Sequence, residues 1–188
     1  MGEPRARHNE PMDIVVPAEF RYLYEVSDKR PITKIPSPIL REKCPPVARV
    51  NTRIKNIGEN MVRMMREANG IGLAAPQVGI RERIVVISPD DRPIVLINPE
   101  ITEFSEEKVV AQEGCLSLPG LYGDVERSEF VVIKGLDKRG REVEFEMEGL
   151  AARIAQHEVD HLDGILFIDK ADPATLHWET PPSEMDDR

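Results

Sequence analysis

One segment restricts the possible fold more than any other. It runs from Gly149 to Leu162, reads as a helix containing His157-Glu158-Val159-Asp160-His161, and is closed by Asp163-Gly164. Two histidines four apart on a helix lie about 40° apart around its axis, so both imidazoles can reach one ion. Glu158 between them is placed to take a proton from water activated by that ion. Leu150, Ile154, His157 and His161 follow a 4-3-4 spacing, so the histidines extend an apolar stripe. An ion at the end of an apolar wall suits a substrate with an apolar side chain beside its reacting carbonyl. The competing reading is two surface histidines beside acids on a charged helix.

The rest of the chain must supply elements that pack around this helix. At 188 residues it suits one domain with its own core. A formal net charge of -9 argues against a surface built to neutralise phosphates, so no nucleic-acid partner is expected. No apolar run approaches the ~20 residues that span a bilayer, so no membrane role is expected. Acidic residues spread through the first thirty positions, without a continuous apolar core, suit neither a secretory signal nor a transit peptide. A soluble cytoplasmic protein is the expectation. Residues 1–30 show no sustained period and read as an N-terminal extension outside the main fold. Residues 31–170 read as the catalytic domain. Residues 171–188 are acidic and proline-bearing, and read as a disordered tail.

Prolines at 31, 36, 38, 45 and 46 favour an extended segment. Asn51 or Thr52 then caps a helix with Ile54, Ile57, Met61, Met64, Met65 and Ala68 at helical spacing, stopped by Asn69-Gly70. That methionine stripe is expected in the core. Strands are predicted over Arg83–Ser88, over Ile94–Ile97 up to Asn98-Pro99, over Phe130–Lys134, and, after a turn at 137–140, over Val143–Met147. The fold class is therefore α+β: a single domain with antiparallel strands packed around a central metal-binding helix.

Two further islands carry chemistry. Glu113-Gly114-Cys115-Leu116-Ser117-Leu118-Pro119-Gly120 offers a thiolate that would complete a three-ligand site and leave the fourth position for water. A lone cysteine is also a common core packer, and Cys44 is the chain's other one. Gly70-Ile71-Gly72-Leu73-Ala74-Ala75-Pro76-Gln77-Val78-Gly79 lacks side chains where another backbone must approach, and Gln77 offers an amide for a developing oxyanion. The plain alternative is a tight helix-to-strand turn.

In order and approximate spacing, Gly-Ile-Gly-Leu-Ala-Ala-Pro-Gln, Glu-Gly-Cys-Leu-Ser and Gln-His-Glu-Val-Asp-His-Leu resemble the three signature motifs of the peptide deformylase family. The resemblance covers roughly Ile32 to Lys170, including Ile35-Pro36-Ser37-Pro38-Ile39-Leu40-Arg41 and Val125-Glu126-Arg127. It implies that Cys115, His157 and His161 bind one divalent metal ion. Fe²⁺ is expected in the cell, with Ni²⁺, Co²⁺ or Zn²⁺ possible in preparations. It implies that Glu158 moves the proton, and that Gln77 and the Leu116 N–H hold the oxyanion. The substrate is then an N-formyl-Met peptide, which loses formate. Its backbone is expected between Ile71-Gly72 and Gly114-Leu116, with its methionine among Ile71, Leu150, Ile154 and the His157 ring. Arg153 is expected nearby, either lining the pocket with its stem or turning its head to solvent. Glu113 and Arg127 are expected to form an ion pair behind the cysteine loop. Transient ribosome association stays open as a partner contact, but the acidic tail argues against the basic C-terminal helix that some relatives use for it.

Three other readings remain at this level. An endopeptidase of the H-E-x-x-H type leaves Cys115 and Gln77 idle. A structural metal site would need a fourth protein ligand. A deformylase-like enzyme acting on another acyl group would keep every catalytic position.

Overall fold

The computed structural model describes residues 11–181. Asn51 caps helix α1 (Thr52–Glu67): its side chain accepts the Ile54 amide hydrogen at 3.0 Å. The helix buries Ile54, Met61 and Met65, as its spacing predicts, and stops where Asn69 takes a φ of 53°. The strands follow as β1 (Gly72–Ala74), β2 (Ile84–Ile87), β3 (Ile94–Phe104), β4 (Lys108–Cys115), β5 (Leu118–Ser128), β6 (Phe130–Leu136) and β7 (Glu142–Glu148). Helix α2 (Gly149–Leu162) comes next, and β8 (His177–Trp178) lies near the C-terminus. Two antiparallel sheets result, ordered β1-β2-β3-β6-β7 and β4-β5-β8. No helix among the described residues is long and apolar enough to cross a membrane.

Strand β2 shows why its four residues are all apolar. Val85 and Ile87 join the cluster under α2, with Leu96, Val131, Ile133, Ile154 and Ala155. Ile84 and Val86 point the other way, into the cluster under α1 with Ile54, Met61 and Met65. A strand covered by a helix on each face reads as a continuous hydrophobic run rather than an alternating one. Strand β7 alternates because only one of its faces is covered. A third cluster, with Leu118, Leu121, Val125 and Phe167, lies under the smaller sheet. Helix α2 is thus held from several sides, which fixes the direction of its two histidines.

The structure corrects the sequence reading in three places. Strand β3 does not end at Asn98-Pro99. It passes through them with register shifts on either side of Glu100–Ile101, and an irregularity of this kind tolerates a proline without an N–H. Strands β4 and β5 were not anticipated as strands; Pro119, Gly120 and Gly123 mask the pattern of β5. The termini also differ from expectation where they are described. Ala18–Tyr24 forms a 3-10 helix that buries Leu23, and the Met12 amide donates to Asp169 at 3.0 Å. Residues 171–178 are ordered too: Trp178 pairs with Leu121 and stacks 5.2 Å from Phe20. The aromatic and apolar residues scattered through both ends have each other and β5 to pack against. Residues 1–10 and 182–188 lie outside the described residues.

Candidate metal centre

At the end of β4 the register shifts: Gly114 pairs with Tyr122, whereas Cys115 pairs with Leu118. This tight connection brings Cys115 to helix α2. Its Sγ lies 3.3 Å from Nε2 of His161, and ligand atoms of Cys115, His157 and His161 all fall within 4.8 Å of one another. One soft sulfur and two imidazoles match the donor set of Zn²⁺ or Fe²⁺ sites that keep a position open. The residues present therefore fit a divalent ion.

Behind the ligands lies a charged chain. Nδ1 of His157 is 2.9 Å from Oε2 of Glu113, which leaves the other ring nitrogen for an ion. Glu113 takes two hydrogen bonds from Arg127, at 2.9 and 3.0 Å, so the expected ion pair is present and bidentate. Arg127 also reaches Asp160, which Lys170 holds from outside at 2.8 Å. Burial alone would raise the Glu113 pKa, but hydrogen bonds from His157 and Arg127 outweigh it and hold the carboxyl well below its usual range. Burial opposes charge on both histidines. At His157 the Cys115 sulfur and Glu113 overturn it and the pKa rises; at His161 burial and the neighbouring His157 hold it down.

Glu158 is 5% exposed, and its Oε2 has no partner among the described residues. Burial pushes its carboxyl up to about 7, a suitable value for a group that takes and returns a proton near neutrality. The reason for Gly72 is now visible. A Cβ there would sit 2.3 Å from Oε1 of Glu158 and 2.8 Å from a methyl of Ile154. Gly114 is similarly constrained, by the Tyr122 ring at 2.7 Å.

Gln77 is fixed at both ends. Its Oε1 accepts from the Ala74 amide at 2.9 Å, so Nε2 is directed at Ser117 Oγ (3.1 Å) and Cys115 Sγ (3.5 Å). Ser117 in turn donates to the Thr33 carbonyl at 2.7 Å. Sequence reasoning missed the positioning roles of Ser117 and Asp160; the one available signal was a polar letter inside each motif. Arg153 lines the cleft, as in the first of its two expected courses, and its head does not turn to solvent. Its guanidinium turns inward, 2.8 Å from Glu113, and donates to the carbonyls of Val125 and Val109.

A cleft of about 880 Å³ opens over this centre. Ile71, Gly72, Gly114, Leu116, Leu150 and Ile154 all line it. Ile154 is buried, whereas Ile71 and Leu150 are about half exposed. The site residues predicted from the sequence line this cleft, except His161 and Arg127, which contact Cys115 and Glu113 behind it.

A family model described as polypeptide deformylase matches residues 29–176. The peptide deformylase of Thermodesulfovibrio yellowstonii is 49% identical over 76% of this chain and 88% of its own length. Among solved structures, the peptide deformylase of Thermotoga maritima superposes with a TM-score of 0.74 at 44% identity, covering 76% of this chain and 97% of that one. A Met-Ala-Ser-bound peptide deformylase from Acinetobacter baumannii gives 0.72 at 40% identity, covering 74% and 96%. These matches exclude the endopeptidase and structural-metal readings, and the chain belongs to the peptide deformylase family.

Proposed function

We propose that Cys115, His157 and His161 hold one Fe²⁺ ion in the cell, and that Glu158, Gln77 and Leu116 carry out metal-dependent removal of the N-formyl group from nascent N-formyl-Met peptides. The family activity is that deformylation. The observation that carries the residue assignment is the meeting of one sulfur and two imidazoles from distant segments within 4.8 Å. Ni²⁺, Co²⁺ or Zn²⁺ would fit the same donors.

Once bound, the ion supplies a Lewis acid that makes water nucleophilic near neutral pH. The remaining work falls to side chains. Glu158 takes the proton from the attacking water and returns it to the departing amine, so that formate and a free α-amine leave. The Gln77 amide, held in one orientation by Ala74 and Ser117, donates to the carbonyl oxygen as it gains charge. The Leu116 N–H joins it from the turn after Cys115. The peptide backbone lies along Gly72 and Gly114, where missing side chains allow close approach. Ile71, Leu150, Ile154 and the His157 ring receive the methionine. Arg153 contributes its alkyl stem, because its head is engaged with Glu113. The Acinetobacter baumannii relative, with its bound Met-Ala-Ser, supports a peptide in this cleft.

The reading places the enzyme in the cytoplasm with any ribosome contact transient. Among the described residues, Pro173–Thr175 form a 3-10 turn and His177–Trp178 a short strand, which does not favour docking through a basic C-terminal helix. Formate release from N-formyl-Met-Ala-Ser, with anaerobically purified protein loaded with Fe²⁺ or Ni²⁺, tests the function. Activity is expected, with a loss of about 10²–10⁴-fold in Glu158→Ala at unchanged metal content. An inactive wild type would overturn the assignment; an active Glu158→Ala would overturn the proton role alone.

A further inference from the structure

Leu23, Ser27 and Asp28 precede the stretch matched by the family model, yet they line the cleft. The 3-10 helix Ala18–Tyr24 lies on β5 at Gly120. A Cβ added to that glycine would meet a Phe20 ring carbon at 3.0 Å and Leu23 Cδ1 at 3.4 Å. Phe20 and Tyr24 rest against Trp178, with ring centroids at 5.2 and 6.3 Å. Ser27 and Arg30 then exchange backbone hydrogen bonds at 2.9 and 3.2 Å, closing a turn with Asp28 and Lys29 at its tip. From that turn the chain runs directly into the oxyanion residues. The Thr33 amide donates to the Gln77 carbonyl at 2.7 Å, and the Ile35 amide to the Ser117 carbonyl at 3.2 Å.

The cleft over Glu158 and His157 continues to Leu23 and Ser27–Arg30 without interruption. At about 880 Å³ it is near the upper end of small-molecule sites, roughly 300–1,000 Å³. One methionine side chain and a formyl group do not fill it. We propose that the turn at residues 27–30 is the far wall of the substrate cleft and receives the peptide residues that follow the formylmethionine. The inference rests on the function proposed above and adds a subsite to it. Because the turn is anchored by the Phe20, Leu23 and Trp178 packing, it offers a preformed surface, and contact there improves binding at little ordering cost.

The test compares full-length protein with Asp28→Gly/Lys29→Gly. Both positions are exposed, so the change strips side chains from the tip and leaves the core intact. For each protein, kcat/KM is measured on N-formyl-Met-Ala and on N-formyl-Met-Ala-Ser-Ala-Ala. Wild type is expected to favour the longer peptide at least about 5-fold, through KM rather than kcat, and the variant's ratio is expected to fall below about 2. A wild-type ratio near one overturns the proposal, and so does a ratio that survives the double substitution. Absence of formate from both peptides in wild type overturns the functional reading, and this inference with it.

Discussion

Oε2 of Glu113 stands 2.9 Å from Nδ1 of His157, so one buried carboxylate orients the imidazole proposed as a metal ligand and leaves its other nitrogen for the ion. Partners of this kind typically contribute 10–100-fold to metal affinity. Glu113→Gln is expected to weaken Ni²⁺ or Co²⁺ binding by about that factor, read by competition with a coloured chelator. Unaltered affinity would remove Glu113 from this role.

Arg127 is 3% exposed and neutralises Glu113 and Asp160 together. Arg127→Met leaves the buried Glu113 with Arg153 as its only remaining arginine and Asp160 with Lys170, and removes the cation that joins the two. A loss of about 3–5 kcal/mol in urea unfolding is expected, the range for removing one partner of a buried pair. Adding Glu113→Gln to that variant should recover part of the loss, because one buried charge is removed. Additive losses would show that the two groups do not act as a unit.

Gly72→Ala tests the close packing of Glu158, the proposed proton-transfer group. The new Cβ would lie 2.3 Å from Oε1 of Glu158, so the carboxylate must shift. Displacements of about 1 Å at reacting groups cost roughly 10²-fold in rate. We expect kcat to fall by about that factor with the metal retained, followed by formate release and metal analysis. Near-normal kcat would mean that Glu158 has room to move without consequence.

Lys34 is 7% exposed, and its Nζ donates to the Ile32 carbonyl at 2.7 Å. Burial, with help from the charge of Arg30, pushes its pKa down from 10.5 to about 8. Between those values the unfolded chain binds more protons than the folded one, so native stability rises with pH through the window from about 8 to 10.5. Lys34→Met carries no such dependence. It is expected to be more stable than wild type at pH 7 by about 1–2 kcal/mol, allowing for partial solvent access. The gap should narrow above pH 8 and close only beyond about pH 10.5, and denaturant titrations at several pH values will show it. A gap that stays constant with pH would sink the argument.

Much of this protein was legible in the order of its residues. The helix α2 and its two imidazoles follow from local spacing, because a 3.6-residue period puts positions four apart on one face. The cap at Asn51 and the stripe below it follow in the same way, from contacts between near neighbours. Similarity of three motifs pointed to the family and its reaction, and to the residues proposed to hold the metal. What only the tertiary structure decided are the relations between residues far apart in the chain. The direction of Arg153, the support of Gln77 by Ser117, and the seating of Phe20 and Leu23 on β5 each join segments separated by 40 or more residues. Strands β4 and β5 belong here too, since their glycines and Pro119 obscure the local period and long-range pairing alone makes them strands. Local chain geometry has a fixed period that can be read from letters; a hydrogen bond or a packing contact across the fold depends on which surfaces meet, and that is settled when the core closes.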